Sequence, residues 1–469
     1  MLTFEPLTKE ALPALAPWFS VQTTTLGDYS LGFRLMWAER MGTEYALAED
    51  CLLLRELMEG TYYYDYPLSR AQDGGAVGRA ISAIEEDCRD RGIRLRFTAV
   101  PGEEMPRLAL RYGSDVQISN SRRWRDYLYR AEDFRTYAGS GYAGQRNHVN
   151  KFRKLYPDAE FRVYTPEDEA DVVRFLRAYD AGQRAKGTRL AAAEMDGVYE
   201  LVPRIGKFGL CCGLLFAEGT LIGLSVGEVC GKTMIVHVEK AFRGYEGVYP
   251  YLAQQFARTF CGEEIELINR MDDAGDPGLR KSKLQYRPCR LGDKYTVSPV
   301  RAIESLREQP VLRGERLTVA PLRDADASVY ARLASDVERN RYWGYDWRKD
   351  HEGGMPDDAW FFTIPRTEWE CRRELSEGIY LGDALIGEVV LHRFGYAAQA
   401  EVGARLLPEY EGRGYASEAV RTMSEYAFYQ LGLECVEAKC FRENERSRRM
   451  LLSAGMRPCG EDERYFYFR

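Results

Sequence analysis

The sequence has few histidines and no cysteine pairs at the spacing of a zinc site. Four of its 469 residues are histidine, and its 11 cysteines are scattered, with only Cys211 and Cys212 adjacent. Cys-x-x-Cys pairs, the usual sign of a zinc site, are absent. The sequence therefore predicts no metal site. We expect the cysteines to be reduced and mostly buried, as in a cytosolic protein.

Long apolar segments are also missing. The longest runs, such as residues 210–217, are far shorter than the ~20 apolar residues of a membrane helix. The amino-terminus lacks the basic stretch and apolar core of a signal peptide. We therefore expect a cytoplasmic protein without a transmembrane segment.

The chain has no excess of basic residues. It contains 65 Lys and Arg against 72 Asp and Glu, a net charge of −7. This balance does not favour non-specific binding to nucleic acid, although it leaves room for a local basic patch. Hydrophobic residues at 45% and charged residues at 29% are ordinary for a globular protein, and the length suits two or three domains.

Strand and helix patterns divide the chain into three segments with a linker. The segments are residues 1–130, 131–298 and 311–469, and the linker is 299–310. Helical patterns lie at 9–19, 77–90, 250–259, 301–308, 324–336, 417–431 and 445–454. Strand patterns lie at 51–54, 61–66, 94–100, 161–164, 211–217, 221–229, 233–239, 264–269, 317–321, 379–381, 384–390, 400–406, 435–440 and 465–469. This order predicts an α+β fold of mixed sheets flanked by helices.

A glycine-containing loop follows the strand at 400–406. Gly412 and Gly414 precede a helix that we expect to begin near Ala416. Backbone N–H groups at a helix start are unpaired and lie at the positive end of the helix dipole, and glycine lets a phosphate come close. The loop is therefore a candidate anion site, with an ordinary tight turn as the alternative.

Two motifs carry a resemblance to a known family. Residues 402–420 resemble motif A of the GNAT superfamily, most closely the Gly-x-Gly-Tyr-Ala form of the ribosomal-protein (Rim-type) N-acetyltransferases. Residues 443–456 resemble the family's Asn-x-x-Ser/Ala…Gly-Phe motif. Glu411 departs from the family's Gln or Arg. The resemblance implies acetyl-CoA as co-substrate, bound by Leu406, Gly412, Arg413, Gly414, Tyr415, Ala416, Asn444 and Ser447.

The implied chemistry needs a base and an acid. A protonated amine cannot attack a thioester, so a base or an ordered water must remove a proton. Glu401 is the first candidate base and Glu388 the second, although either carboxylate could simply face solvent. Many family members place a Tyr as general acid where this chain has Leu451, so Ser447 or water would return the proton.

The acceptor is expected to be a primary amine, on a small molecule or a peptide. In similar proteins an aromatic loop after the first helix lines the acceptor cleft. Here that loop is residues 341–347, with Trp343 and Trp347. The alternative is that these tryptophans cap the core.

The first 298 residues carry a second resemblance. Residues 144–157, 236–241, 268–270 and 278–288 are similar to an uncharacterised family related to the catalytic domain of lysyl-phosphatidylglycerol synthase. That family consists of two GNAT-like lobes akin to the Fem-type aminoacyl-tRNA-dependent transferases. The implied architecture is three GNAT-like units in one chain.

Charged residues suggest a second site in this amino-terminal part. Arg280, Lys281 and Lys283 form a cationic cluster for a phosphorylated donor. His237 and Glu239 alternate on one strand face and could form an acid–base pair, the alternative being a buried, hydrogen-bonded histidine. A helix carrying Arg146, Lys151, Arg153 and Lys154 could hold tRNA phosphates or simply face solvent.

The sequence as a whole predicts an N-acetyltransferase fused to a tandem transferase-like domain of unknown acceptor. One alternative is an aminoacyl-tRNA-dependent transferase in the amino-terminal unit, which would add tRNA as a partner. The other is a CoA-binding regulatory protein without turnover, which the departures at Glu411 and Leu451 favour.

Overall fold

The computed structural model describes residues 2–469 except 59, 114–115, 185–188, 338, 344–345, 350, 352–353 and 397. Two residues of the aromatic loop, 344 and 345, thus lie outside the described residues. The first segment contains strands β1 (Glu5–Pro6), β2 (Glu44–Ala48), β3 (Cys51–Met58), β4 (Thr61–Asp65), β5 (Leu68–Ser69), β6 (Phe97–Pro101) and β7 (Val116–Ser119). Its helices are α1 (Leu12–Phe19), α2 (Leu31–Met41), α3 (Gly74–Arg91) and α4 (Met105–Tyr112).

The second and third segments continue the same alternation. The second has strands β8 (Asp126–Arg130), β9 (Glu160–Val163), β10 (Cys211–Ala217), β11 (Thr220–Cys230), β12 (Thr233–Ala241), β13 (Leu267–Asn269), β14 (Arg290–Gly292) and β15 (Lys294–Pro299). Its helices are α5 (Ala131–Thr136), α6 (Ala143–Leu155), α7 (Glu169–Arg184), α8 (Arg189–Leu201), α9 (Ile205–Phe208), α10 (Val248–Phe260) and α11 (Pro277–Gln285). The third has strands β16 (Leu312–Arg313), β17 (Thr318–Ala320), β18 (Leu375–Leu381), β19 (Ala384–His392), β20 (Gln399–Leu406), β21 (Cys435–Phe441), β22 (Pro458–Glu461) and β23 (Tyr465–Phe468). Its helices are α12 (Ala327–Ser335), α13 (Asp358–Glu370), α14 (Tyr415–Tyr429) and α15 (Glu445–Ser453).

Within the described ranges these strands form three mixed sheets of eight, seven and eight strands. The first has the order β1-β2-β3-β4-β6-β15-β7, with β5 beside β3. The second has the order β14-β8-β13-β12-β11-β10-β9, and the third β16-β17-β18-β19-β20-β21-β23-β22. Helices pack against the sheets; α14, for example, buries Ala419, Val420, Met423 and Ala427 at helical spacing. The predicted α+β class with three helix-flanked mixed sheets is confirmed.

Each sheet contains one parallel strand pair: β4 with β6, β12 with β13, and β20 with β21. A helix connects the two strands of each pair. In the third sheet, the pairing covers only residues 399–401 of β20 and 435–437 of β21. From Ala438 onward β21 pairs with β23 instead, while β20 stays paired with β19. The two strands therefore diverge into a wedge whose apex lies at Glu401 and Glu437.

The first two sheets do not separate at a single point of the chain. β8 belongs to the second sheet although the sequence placed it in the first segment, and β15 lies between β6 and β7 of the first sheet. We propose a division into two lobes, a linker and a third unit. In this division β15, at the end of the second lobe in the chain, completes the sheet of the first lobe.

Most predicted elements lie within a few residues of their expected positions, but one prediction fails and several helices, α7 and α13 among them, were not predicted. The charged helix expected at 301–308 is only a 3-10 turn, Ala302–Ser305, because Ile303 is buried and Arg301 turns back to Glu304. Helix α2 was not predicted. Its weak apolar periodicity reflects the buried Arg34, whose charge is neutralised by other parts of the fold.

The turn between β19 and β20 reaches the core of the first lobe. Tyr396 from this turn is buried there, with its ring 6.2 Å from the ring of Tyr112. The guanidinium of Arg301 lies 5.8 Å from the ring of Tyr396. Near this contact, Arg89 at the end of α3 lines one cavity together with Glu401 and Glu437 at the apex of the β20–β21 wedge.

Candidate functional site

The glycine loop ends β20 and starts α14. Gly412 has φ of +74° and Gly414 has φ of +79°, both in the left-handed region that favours glycine. Gly414 is the N-cap residue of α14, and no side chain caps this helix start. The first N–H groups of α14 are therefore free of a side-chain acceptor, as an anion site requires.

Two residues that the sequence analysis missed hold the loop in place. Glu418, which is buried in the first turn of α14, accepts hydrogen bonds from the backbone N–H groups of Arg316 and Leu317 at 2.7 and 3.2 Å. The Arg316 guanidinium bonds the same carboxylate at 2.7 Å and the carbonyl of Arg413 at 3.1 Å. It also lies 4.7 Å from the ring of Tyr415. These contacts join residues about a hundred positions apart, so no local sequence pattern indicates them.

The second motif lies directly beside the glycine loop. Asn444 is the N-cap of α15, and its side-chain oxygen accepts the N–H of Ser447 at 3.1 Å. Ser417 donates to the carbonyl of Met450 at 3.0 Å, which ties α14 to α15. Glu411, the departure from the family pattern, pairs with Arg446 at 2.9 Å. The structure therefore brings the two motifs together at the open end of the wedge.

The two candidate bases have different environments. Glu401, at the apex, is 18% exposed and lines a cavity of about 600 Å³. Its carboxylate lies 3.3 Å from Nζ of Lys439 and 3.8 Å from Nε of Arg393. Glu388 is 2% exposed. Glu388 accepts the Tyr330 hydroxyl at 2.8 Å and the Arg405 guanidinium at 2.8 Å, which satisfies the buried carboxylate and argues against its role as base.

A histidine that the sequence analysis did not single out lies beside Glu401. Nε2 of His392 is 3.7 Å from the Glu401 carboxylate, and Nδ1 is 3.9 Å from that of Glu374. Burial lowers the pKa of His392, so its ring is uncharged at neutral pH. Burial, together with Glu368 and Glu388, raises the pKa of Glu374 to about 7.

The tryptophans of the aromatic loop, Trp343 and Trp347, lie in different places, one over the β20–β21 wedge and the other against the core. The ring of Trp343 lies 4.6 Å from the Arg405 guanidinium and covers Gly403 of β20. Its neighbour Tyr342 lies 5.2 Å from the ring of Phe441 on β21, so the loop crosses the wedge. Trp347 instead packs against the core and donates to the carbonyl of Ser335 at 3.2 Å. Trp347 is thus the residue that caps the core.

A larger cleft of about 1980 Å³ is lined by residues of both amino-terminal lobes. His237 and Glu239 both line it, but they do not form the predicted pair. Nε2 of His237 lies 3.1 Å from Glu228, and Glu239 lies 2.5 Å from Arg270. His237 is therefore the buried, hydrogen-bonded histidine of the alternative, with Glu228 of β11 as its partner, and Glu239 is ion-paired with Arg270, which follows β13.

The predicted cationic cluster of this cleft is also divided. Arg280 pairs with Asp273 at 2.8 Å. Lys283 is buried and donates to the backbone carbonyls of residues 270–272, and its burial lowers its pKa to about 8. Lys281 lines the cleft. Arg280 and Lys283 thus stabilise the turn after β13, which leaves Lys281 as the member that can meet a ligand.

The basic helix α6 is partly used by the fold as well. Arg146 donates to the carbonyls of Tyr137 and Gly139, and Lys151 pairs with Glu246 at 2.7 Å. A Cβ atom on Gly247, the N-cap of α10, would lie 2.3 Å from the carbonyl of His148. Helix α6 therefore packs directly over the start of α10.

Comparisons with known proteins match both parts of the chain. Residues 22–298, more than half of the chain, match the family model "Phosphatidylglycerol lysyltransferase, C-terminal". Residues 316–457 match the model "Acetyltransferase (GNAT) domain". Among the described residues, no helix combines the length and apolar character needed to cross a membrane.

Individual relatives agree with these matches. The uncharacterized N-acetyltransferase YoaA of Bacillus subtilis (strain 168) is 30% identical over 161 residues, 34% of this chain and 89% of that protein. The putative ribosomal N-acetyltransferase YdaF of the same organism is 28% identical, over 29% of this chain and 74% of that protein. A crystal structure of a conserved protein of unknown function from Bacteroides thetaiotaomicron VPI-5482 aligns with 64% of this chain and with 99% of that protein's chain. The TM-score is 0.59 and the sequence identity 24%, so the two proteins share the fold over this region. The chain therefore belongs to the phosphatidylglycerol lysyltransferase C-terminal family, carries a GNAT acetyltransferase domain after that region, and is an acyltransferase.

Proposed function

We propose that the third unit moves the acetyl group of acetyl-CoA to a primary amine by direct transfer in a ternary complex. The observation that carries this proposal is the uncapped start of α14 at Gly414, which opens beside the β20–β21 wedge. Free N–H groups at a helix start suit a diphosphate, and a gap between diverging strands suits an extended arm. Asn444 and Ser447, tied to the loop through α15, lie where that arm would pass.

In this mechanism each residue has a defined task. The N–H groups at the start of α14 hold the diphosphate, and Glu401 takes a proton from the ammonium of the acceptor. The free amine then attacks the acetyl carbon, so that a C–N bond forms and the C–S bond breaks. The attacking nitrogen still carries one proton too many, and this proton passes through Ser447 or a water molecule to the departing thiolate, which leaves a neutral amide and CoA. A tyrosine cannot serve here, because this chain has Leu451 at that position, buried in the core.

Calorimetry with CoA on the full-length protein tests the donor site. Gly414→Ala should weaken CoA binding about tenfold, because alanine disfavours φ of +79° and its methyl group would lie 3.5 Å from the Arg316 guanidinium that holds the loop. Gly432 offers a matched control: it has φ of +68°, has open space around it, and follows the other end of α14. Gly432→Ala should cost similar stability, about 1 kcal/mol, and leave CoA affinity unchanged. Absence of CoA binding at millimolar concentration would refute the proposal.

The alternative of a regulatory protein without turnover predicts a different result in the same experiment. It predicts CoA binding together with no acetylation of any amine in a broad screen. Either departure from the family pattern, Glu411 or Leu451, would then account for the loss. Detection of one acetylated amine excludes this alternative.

A second candidate function concerns the amino-terminal cleft. We propose that it is an acyl or aminoacyl transfer site with a soluble acceptor, and that an aminoacyl-tRNA is its donor. The size of the cleft, about 1980 Å³, and the cation of Lys281 at its edge support this proposal.

A filter-binding assay with tRNA tests this candidate. Retention should fall steeply with salt, because phosphate contacts release counterions. Lys281→Ala should weaken binding about tenfold at low salt, as expected for one lost charged hydrogen bond. Lys207→Ala, an exposed lysine on α9 outside the cleft, is the control and should have no effect. No retention of tRNA at low salt would eliminate this donor.

A further inference from the structure

The cavity beside Glu401 has a composition that bears on the identity of the acceptor. Its volume is about 600 Å³, in the range of small-molecule sites. One wall consists of β20 and β21 with Glu401 and Lys439, and another of β22 and β23 with Tyr465 and Tyr467. Arg89, from the end of α3 in the first lobe, lines the cavity as well. The cavity is therefore built by two parts of the chain that are far apart in sequence.

The cavity lies on the face of the third sheet where the acetyl group would be transferred. Glu401 and Lys439 share this face with Phe441, whose ring lies 4.7 Å from that of Tyr465. Phe441 in turn contacts Tyr342 of the aromatic loop, with ring centres 5.2 Å apart. An aromatic row therefore connects the cavity with the part of the wedge that this loop covers.

Cationic side chains outnumber anionic ones in this cavity. The lining contains Arg89, Arg393, Lys439 and Arg469 against Glu401 and Glu437. Glu437 is neutralised by Arg469 at 2.9 Å. Glu401 alone faces Lys439 at 3.3 Å and Arg393 at 3.8 Å. Around the proposed base there is thus one carboxylate for two cations, and Arg89, which pairs with Glu86 of its own helix at 3.7 Å, is a further cation of the lining.

We infer that the acceptor of the acetyl group is an amine that carries a carboxylate a few bonds away, as in an amino acid. This inference rests on the proposed acetyl transfer. Glu401 meets the ammonium group, while Arg393 and Arg89 meet the carboxylate, so that each charged group of the acceptor faces side chains of opposite charge. The Arg393 and Glu401 side chains are 3.8 Å apart, which matches a ligand whose two charged groups are close together. A diamine would place a second cation among the arginines and is disfavoured.

The test compares amino acids with their amides as acceptors for the full-length protein and acetyl-CoA. For the best substrate, kcat/KM for the free acid should exceed that for the amide at least tenfold. Arg393→Gln and Arg89→Gln should each bring this ratio close to one, since each removes a charged hydrogen bond worth about a tenfold effect. Arg421→Gln, on the exposed side of α14, is the control and should keep the wild-type ratio.

Two results overturn the inference in distinguishable ways. Amides, or diamines, acetylated as well as free amino acids would overturn the carboxylate preference and leave acetyl transfer standing. CoA binding without acetylation of any amine, acid or amide, would overturn the proposed function and this inference together.

Discussion

Glu401→Gln should lower kcat for amine acetylation at least a hundredfold while leaving the KM for acetyl-CoA within about twofold. The glutamine keeps the shape of the side chain but cannot accept a proton, and general base catalysis contributes about 10²–10⁴ in rate. Glu401 lies at the apex of the wedge, whereas the glycine loop lies after the end of β20, so donor binding should not change. Steady-state kinetics with both substrates varied separates these two effects.

Glu437→Gln is the matched control for this substitution. Glu437 is the parallel-strand partner of Glu401 and lines the same cavity, but its carboxylate is paired with Arg469. We expect its kcat to stay within about threefold of the wild-type value. Equal losses in the two variants would mean that cavity charge, rather than a base at Glu401, sets the rate. Retention of more than a third of kcat by Glu401→Gln would refute the assignment.

The local geometry of the glycine loop and of the Asn444 cap was predictable from sequence, because each involves residues that are close together in the chain. Gly412 and Gly414 lie within three residues of the start of α14, and Asn444 caps the helix that it begins. The predicted strand at 400–406 also placed Glu401 correctly on the strand that leads into this loop. The role of Arg316 could not be predicted from sequence, because its contacts with Glu418 and with the carbonyl of Arg413 span about a hundred residues of chain.

The side-chain partners in the amino-terminal cleft were predicted less well, because they depend on strand register. Alternation placed His237 and Glu239 on one face, and both do line the cleft. A register shift between β11 and β12 next to Val226 and Gly227 accompanies the pairing of His237 with Glu228 across the sheet. A bulge of this kind leaves no clear pattern in the sequence.

The three units differ at one position of a shared frame, the start of the helix that connects the parallel strands. In the first unit Asp73 closes this start by accepting the N–H of Gly75 at 2.8 Å. In the second, α6 packs over Gly247. In the third, no side chain among the described residues caps the helix start at Gly414. This difference supports the third unit as the site for a CoA diphosphate, and it favours a different donor geometry in the cleft of the first two.

Glu377→Gln should stabilise the third unit, by up to about 3 kcal/mol at pH 7. Glu377 lies on β18 among core residues, is fully buried, and has one carboxylate oxygen without a hydrogen-bond partner among the described residues. Its other oxygen accepts from the Gln309 amide at 3.2 Å. Burial raises the pKa of Glu377 from 4.5 to about 9, so the side chain is protonated in the folded protein at neutral pH.

The sign of the pH dependence follows from this raised pKa. Above pH 4.5 the unfolded chain releases the Glu377 proton while the folded chain keeps it. The unfolded state is therefore stabilised by about 1.4 kcal/mol per pH unit until pH 9, and the free energy of unfolding falls by the same amount. Glutamine cannot ionise in either state and escapes this loss, while its carbonyl still accepts from Gln309. The gain in unfolding free energy should therefore be small at pH 5 and grow towards pH 8. Calorimetric melting of the full-length protein at both pH values measures it, with the exposed Glu425→Gln as control. A gain equal at the two pH values, or a loss at both, would contradict a buried neutral Glu377.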